Sequence, residues 1–298
     1  MQSLLITGGL GQVGSYLADR FAENYDVTVL DNRTAPCRET VPDGVELVVG
    51  DIRGPEAAGP VADADAVVHT AAQVSVPRSL EQPLPDAQNN VFGTLALLEA
   101  AREAEVERFV YFSSAAVYGD PQFLPVGENH PQDPLSPYGV SKLAGEKYAM
   151  MYHRAHGMPV VCIRPFNIYS PRQDPSSPYS GVISAFTERV KAGLPPVIYG
   201  DGEQTRDFIS VHDIVRMVEL CLEKKAAVGK VLNAGTGEAT TVNELASVIL
   251  GLAGSDAGPR YEQARAGDIL HSVADISAAC GTGFRPQVSL EEGLSEFF

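Results

Sequence analysis

The sequence predicts an α/β fold: a doubly wound parallel sheet followed by a smaller C-terminal α/β lobe. Three observations predict it. Short apolar runs at 4–7, 27–30, 45–49, 66–69, 109–112 and 159–164 alternate with helical patterns, the order of a parallel sheet with crossover helices. The first run passes through a glycine turn into a helix. Beyond Pro165 the alternation breaks into a long polar, proline-rich stretch, of the kind that is functional or disordered, and its aromatic residues argue for order.

Composition bounds the function. At 298 residues the chain can bury a sizeable core. A net charge of −16 argues against binding nucleic acid or an anionic membrane. No apolar run approaches the roughly 20 residues of a membrane span. Met1-Gln2-Ser3-Leu4-Leu5-Ile6 lacks the charged region of a signal peptide. Cys37, Cys162, Cys221 and Cys280 show no metal or redox spacing, so reduced thiols, a cytoplasmic protein and no metal are the expectation.

Leu4-Leu5-Ile6-Thr7 reads as a strand buried on both faces. Gly8-Gly9-Leu10-Gly11-Gln12-Val13-Gly14 follows, then a helical pattern from Ser15 to Phe21. Strand, glycine turn and helix are the context of a dinucleotide loop, where the helix N-terminus offers N–H donors to a pyrophosphate. Taken alone, the motif is also compatible with an ordinary tight turn. Val27–Leu30 is a second strand ending at Asp31, an acid placed for the ribose hydroxyls of NAD and repulsive to the 2′-phosphate of NADP. Arg33 argues weakly the other way; NAD is favoured.

Val45–Val49 is the third strand, before Asp51-Ile52, and Ala66–His69 the fourth, before Thr70-Ala71-Ala72. His69 reads as a packed strand-end histidine rather than a catalyst. A helix is expected over Asp86–Glu105, with Val91, Leu95, Leu98 and Ala101 on one face. Phe109–Phe112 is the fifth strand and delivers Ser113-Ser114 to the carboxyl edge of the sheet, where ligands sit in such folds.

Ser136-Pro137 reads as an N-cap and first helical residue, opening a helix to about His156. Tyr138 and Lys142, four apart, share one face of it. A tyrosine near pKa 10 is too weak a base at neutral pH, and a lysine cation beside it is expected to lower that value. The pair could also be a packing tyrosine with a solvated lysine; its company decides. His153 and His156 are read as solvated. Pro159–Arg164 is the sixth strand. Beyond it, helices are expected at Val182–Ala192, Val211–Glu223 and Val242–Leu252, with a strand at Lys230–Asn233 and a helical tail. Arg206, after the Gly200–Gly202 turn, suits an anionic ligand or a surface salt bridge, and Arg265-x-Gly267-Asp268 is a second phosphate or ribose candidate.

The glycine loop, Asp31, Ser114, Tyr138 and Lys142, in this order, resemble the extended short-chain dehydrogenase/reductase family, whose sheet is of Rossmann type. Arg164-Pro165-Phe166-Asn167, Pro171-Arg172-Gln173-Asp174-Pro175, Gly200-Asp201-Gly202, Thr205-Arg206-Asp207-Phe208 and Arg265-x-Gly267-Asp268 extend the likeness to nucleotide-sugar epimerases of the UDP-glucose 4-epimerase type. The resemblance covers nearly the whole chain. It implies an NAD-binding domain over 1–165, with parts of 207–240 returning to it, and a discontinuous substrate lobe over 166–298.

By that likeness Gly8, Gly11, Gln12, Val13 and Gly14 hold the cofactor pyrophosphate, Asp31 and Asn32 the ribose, and Asp51 and Ile52 the adenine. Ala71, Ala72 and Asn90 line the cofactor. Ser114 and Tyr138 meet the sugar 4-hydroxyl, and Lys142 holds the nicotinamide ribose. Asn167, Val182, Tyr199, Arg206, Arg265 and Asp268 grip the UDP-sugar. The implied reaction is epimerisation at C4 through a 4-keto sugar that turns over about its diphosphate link. A homodimer through the helices at 86–105 and 136–156 is also implied.

Departures from the family pattern qualify the likeness. Ala115 and Ala116 stand where related dehydratases carry an acid. Gln12 replaces a common aromatic. Ser272 stands where a bulky tyrosine would limit room beside the sugar, so N-acetylated or uronic sugars join UDP-glucose and UDP-galactose as candidates. Other readings stay open: a nucleotide-sugar reductase or dehydrogenase, a non-catalytic NAD-binding module, or an L-threonine dehydrogenase relative, the last disfavoured by Thr205–Phe208.

Overall fold

The computed structural model describes residues 1–35, 37–173, 181–264 and 267–298. Its first half runs β1 (Ser3–Thr7), α1 (Gln12–Phe21), β2 (Asp26–Asp31), β3 (Glu46–Val49), α2 (Ala58–Ala62), β4 (Ala66–His69), α3 (Val76–Glu81), α4 (Pro83–Ala87), α5 (Gly93–Glu103), β5 (Arg108–Phe112), α6 (Pro137–His156) and β6 (Val160–Pro165). The second half contains β7 (Asn167–Tyr169), α7 (Val182–Lys191), β8 (Val197–Tyr199), β9 (Thr205–Arg206), β10 (Phe208–Ser210) and α8 (Val211–Glu223). Then come β11 (Val231–Ala234), β12 (Thr240–Thr241), α9 (Val242–Leu252), β13 (Arg260–Glu262), α10 (Ser277–Cys280) and α11 (Leu290–Ser295).

Seven parallel strands form the main sheet in the order β11-β6-β5-β4-β1-β2-β3. The order reverses at β1, so the crevice where ligands bind in such sheets opens between β1 and β4. The runs are apolar throughout because both faces are covered. Leu4 and Ile6 of β1 enter one core with Leu17 and Phe21 of α1 and Met217 and Val218 of α8. Leu5, between them, enters the other core with Leu97 and Leu98 of α5 and Ala149 and Met150 of α6. This alternation is the period of a pleated strand.

Strand β11, late in the chain, returns to the main sheet beside β6, with Leu232 opposite Ile163. The remaining strands make small two-stranded sheets, β10 with β7, β12 with β9 and β13 with β8. They rest on a separate core that includes Tyr169, Ile183, Phe186, Ile198, Phe208, Leu245 and Ile249.

Local chemistry sets the helix ends. The Ser136 hydroxyl accepts from Gly139 N at 3.1 Å, Pro137 takes the first turn, and Gly157 closes α6 in the left-handed region. Thr241 and Glu244 form a reciprocal capping box at the start of α9. Helix α8 spans the expected Val211–Glu223.

The single helix expected over 86–105 is instead α4, a π-helical turn at Gln88–Phe92, and α5. The wide turn carries an extra residue and rotates the face. Leu98 and Ala101 are buried, whereas Val91 and Leu95 are only half-buried. The tail is not continuously helical; its helices are the short α10 and α11. His153 is not simply solvated: its Nδ1 lies 2.8 Å from the Met158 carbonyl, tying down the chain that leaves α6.

Candidate active site

The glycine turn is shaped by close approach. Gly8 has φ +70°, and a Cβ there would lie 2.8 Å from the Ala71 backbone, so the residue type is set by space as well as by φ. A Cβ on Gly14 would strike the Gly8 carbonyl as α1 leaves the turn. The N-cap of α1 is Gly11; no side chain caps it and no acid stands in the first turn. The first N–H groups of that helix, at Gln12, Val13 and Gly14, are therefore open to an anion.

Asp31 closes this corner in a way the sequence did not reveal. Its carboxylate accepts from Leu10 N at 3.0 Å and from Arg33 N at 2.7 Å, fixing the glycine turn against the end of β2. Asp51 accepts from Asn32 Nδ2 at 3.3 Å and pairs with Arg53, which holds its carboxyl down at about 2. Ile52 packs against the core beneath them, and its side chain abuts Gly93. These groups line one continuous edge of small, open backbone with an acid at its far end. A pyrophosphate flanked by a diol-bearing ribose fits that cradle.

At the next strand ends, Ala71 N donates to Thr7 Oγ1 at 3.3 Å. Thr7 Oγ1 lies 2.8 Å from His69 Nδ1, and His69 Nε2 lies 3.0 Å from Thr94 Oγ1, whose hydroxyl donates to the Asn90 carbonyl at 2.7 Å. Because Thr94 spends its proton on Asn90, His69 carries its hydrogen on Nε2 and accepts at Nδ1. Burial holds this imidazole neutral, with its pKa at about 3, and the Lys142 cation adds to the effect. His69 is thus a structural pin, as its sequence position suggested.

Ser114, Tyr138 and Lys142 meet beyond the ends of β4 and β5. Ser114 stands beside the Tyr138 phenol and lowers its pKa, and Ser114 Oγ accepts from Ala116 N at 3.1 Å. Lys142 is 4% exposed; its Nζ donates to the Phe112 carbonyl at 2.8 Å and stands 5.3 Å from the centre of the Tyr111 ring. Burial pushes this lysine down to about 8, opposed by the charge of Asp86.

The expected lowering of Tyr138 by Lys142 is not found. Burial raises the phenol, Ser114 lowers it, and Asp86 raises it again. Helical spacing put the two residues on one face, but the ammonium turns to a backbone carbonyl, where desolvation is better repaid.

Asn90, in the π turn, faces inward. Its Nδ2 reaches Gln73 O at 2.9 Å, Ser141 Oγ at 3.1 Å and Asp86 Oδ1 at 3.2 Å, and its Oδ1 accepts from Gln73 N at 2.8 Å. Behind the site, Arg164 on β6 makes a two-pronged pair with Glu146 on α6, at 2.8 and 2.6 Å. Ser113 Oγ donates to the same carboxylate at 2.7 Å. Sequence reading passed over both networks. Their signals were present as four-residue steps, Asp86–Asn90–Thr94 on one segment and Tyr138–Lys142–Glu146 on the other.

In the C-terminal lobe Arg206 and Asp268 are brought together at 2.8 Å, and burial lowers the arginine. Ser272 N donates to the Thr205 carbonyl at 3.2 Å, setting that small residue next to Arg206 in space. Asn167 Nδ2 donates to the carbonyl of Asp207, the residue between β9 and β10, at 3.1 Å. Asp207 is fully buried and accepts from Thr236 N and Oγ1, Gly237 N and Ala274 N. Tyr199 ends β8, its carbonyl accepting from Gln204 Nε2 at 2.9 Å. Val182 opens α7 and packs on the core of this lobe. Arg265 lies outside the described residues. Gln12 reaches across to the second half of the chain, donating to Ser170 Oγ at 3.2 Å.

A model of the NAD dependent epimerase/dehydratase family matches residues 4–235. The chain is 40% identical over 295 residues to a putative UDP-glucose 4-epimerase of Methanocaldococcus jannaschii, spanning 98% of this chain and 95% of that one. It superposes with a TM-score of 0.95 on a UDP-N-acetylglucosamine 4-epimerase of Methanobrevibacter ruminantium in complex with UDP-N-acetylmuramic acid, at 35% identity, covering 99% of this chain and 96% of that one. A UDP-glucose 4-epimerase of Thermotoga maritima with UDP-glucose gives 0.94 at 36% identity, covering 99% and 97%. The chain belongs to the NAD dependent epimerase/dehydratase family, acts on nucleotide sugars and uses NAD.

Proposed function

We propose that the chain is a UDP-hexose 4-epimerase, with UDP-glucose/UDP-galactose and UDP-GlcNAc/UDP-GalNAc as its candidate substrate pairs. One observation carries the choice within the family. Ser114 stands beside the Tyr138 phenol at the sheet edge, with Ala115 and Ala116 next to it where elimination would need an acid. The relatives named as 4-epimerases point the same way.

NAD, when bound, supplies the acceptor and later the donor of hydride at C4. Gly8, Gly11 and the open N–H groups of Gln12, Val13 and Gly14 would hold its pyrophosphate, Asp31 and Asn32 its adenosine ribose, Asp51 and Ile52 its adenine, and Ala71, Ala72 and Asn90 its inner wall. Tyr138 would take the 4-hydroxyl proton and return it to the same oxygen after the keto sugar has turned its other face toward the cofactor. Ser114 shares the proton's hydrogen bond and fixes the oxygen. Lys142 would hold the nicotinamide ribose and stabilise the phenolate once the site is filled. Asn167, Val182, Tyr199, Arg206, Arg265 and Asp268 would keep the UDP handle fixed while the keto sugar rotates, since a tethered reactant keeps its effective concentration. Arg206 would trade part of its pairing with Asp268 for phosphate. The small Ser272 beside it leaves room for an N-acetyl group.

Division at residue 165, with 207–240 returning to the cofactor domain, is supported by β11 joining the main sheet. A homodimer is supported by exposed Leu84 on α4, Phe92 in the π turn, Leu135 just before α6, and Val140 and Tyr148 on α6; Leu135 and Val140 also line an apolar groove of about 470 Å³. A cytoplasmic location accords with the lack, among the described residues, of a disulfide and of a helix long and apolar enough to cross a membrane.

The test is incubation with a panel of UDP-hexoses and separation of C4 epimers. Epimers with no lasting NADH support the reading, and Tyr138→Phe should abolish turnover while leaving the circular dichroism spectrum unchanged. Full activity in that variant removes the proposed base; steady NADH accumulation identifies a dehydrogenase instead.

A further inference from the structure

A carboxylate with no assigned work lies beneath Tyr138 and Lys142. Asp86 of α4 is 1% exposed. Its Oδ1 accepts from Gln73 Nε2 at 2.8 Å and Asn90 Nδ2 at 3.2 Å, while its Oδ2 is sealed from solvent and has no donor. Burying a carboxylate costs several kcal/mol unless donors or an opposite charge repay it. Two neutral amides on one oxygen leave much of that cost standing.

The opposite charge is Lys142, on the helix against which α4 packs. Asn90 links the two, holding Asp86 with one hydrogen bond and Ser141, the neighbour of Lys142, with another. Asp86 and Lys142 do not touch, so their attraction acts through a water-poor space where it is weakly screened. Lys142 faces His69 from β4, Tyr111 from β5 and Asp86 from α4, with Tyr138 and Glu146 on its own helix. His69 is neutral, and Glu146 is matched by Arg164 from β6. Asp86 is the negative charge of this set that no cation contacts.

We propose that Asp86 is a positioning residue for the Tyr138–Lys142 pair: a standing negative charge, built in behind the site, that keeps Lys142 an ammonium. This rests on the reading of that pair as the acid–base machinery. The charge acts on both partners in one direction. Burial has already brought Lys142 down to about 8, and Asp86 opposes a further fall. Asp86 also raises Tyr138. Without the charge, both groups release their protons at lower pH. A merely structural Asp86 would, on removal, lower the rate without sliding either group.

Asp86→Asn removes the charge and keeps the shape, with an amide oxygen still able to accept from Gln73 and Asn90. Gln73→Ala is the converse control, taking a hydrogen bond and leaving the charge. The first readout is the titration midpoint of Lys142 by carbon-13 NMR of lysine-labelled holoenzyme, its signal assigned by loss in Lys142→Arg. Asp86→Asn should lower it by about one unit, a tenfold loss of proton affinity, and Gln73→Ala should leave it in place. The second readout is the pH profile of kcat, of which both limbs should move to lower pH in Asp86→Asn. Asp86→Ser, which discharges the site with a smaller side chain, must move the midpoint the same way if Asp86→Asn folds poorly. An unmoved midpoint in the discharged variants, or an equal shift in Gln73→Ala, overturns the proposal. A midpoint that falls while the kcat profile stays still upholds the hold of Asp86 on Lys142 and counts against the acid–base reading.

Discussion

Replacing Arg164 with methionine should be among the most damaging single changes in the chain. Arg164 and Glu146 are each 1% exposed. The guanidinium donates to Glu146 at 2.8 and 2.6 Å, to Tyr118 Oη at 2.8 Å and to the Glu128 carbonyl at 2.9 Å. Methionine fills much of the space but leaves Glu146 as a buried carboxylate whose remaining donor is Ser113. Breaking a buried pair on one side costs about 3–5 kcal/mol, because the surviving charge is uncompensated. At this chain length that corresponds to a fall in Tm of roughly 5–8 °C. Removing both charges, as in Glu146→Leu with Arg164→Met, should recover about 2 kcal/mol or more of that loss, since the pair itself is close to neutral against apolar packing. The assay is equilibrium urea unfolding followed by far-ultraviolet circular dichroism, the sequence having no tryptophan. An Arg164→Met loss below about 1 kcal/mol, or a double variant as unstable as the sum of the singles, refutes this reasoning.

Other outcomes follow from the same geometry. His69 stays neutral in the fold to about pH 3, whereas an unfolded histidine takes its proton near 6.5. The unfolded state therefore binds the extra proton across that window, and stability falls on acidification by about 1.4 kcal/mol per pH unit. His69→Gln should flatten this part of the stability profile, and an unchanged slope between pH 6 and 4 would contradict it. Gly8→Ala should weaken NAD binding and lower Tm together, because its Cβ meets the Ala71 backbone at 2.8 Å with φ at +70°; calorimetric titration and thermal melts read the two effects. Ser272→Tyr should cut kcat/KM for UDP-GlcNAc by about tenfold or more and spare UDP-glucose; equal losses on both would remove Ser272 from the specificity argument. If the proposed homodimer uses this face, Phe92→Glu with Val140→Glu should yield monomer where the parent chain is dimeric in light scattering, and a mass unchanged from the parent would remove this face from the dimer proposal.

The sequence carried the parts of this structure that repeat or that occupy fixed offsets. Strands sealed on both faces announce themselves as unbroken apolar runs, and Ser136-Pro137 marks the start of α6 by its capping chemistry. The C-terminal pairings were hidden because β9 and β12 are two residues long, too short for any period to register. The π turn was hidden because Gln88–Phe92 keeps helical composition while changing the rise and rotation. At the site, spacing joined Tyr138 to Lys142 but could not show that the ammonium faces the Phe112 carbonyl. That orientation depends on where β5 ends relative to α6, a tertiary fact. Asp31 shows the same limit: its place after β2 was legible, whereas its second task, clamping Leu10 N, required the folded turn.

The claim beneath the whole account is that one tyrosine serves both faces of C4 on a sugar that never leaves its nucleotide handle. UDP-glucose carrying deuterium at C4 tests it most directly, with the product analysed by NMR and mass spectrometry. The account predicts UDP-galactose with the deuterium still at C4. Deuterium washed out to solvent, or a product reduced or dehydrated at the ring, would contradict it.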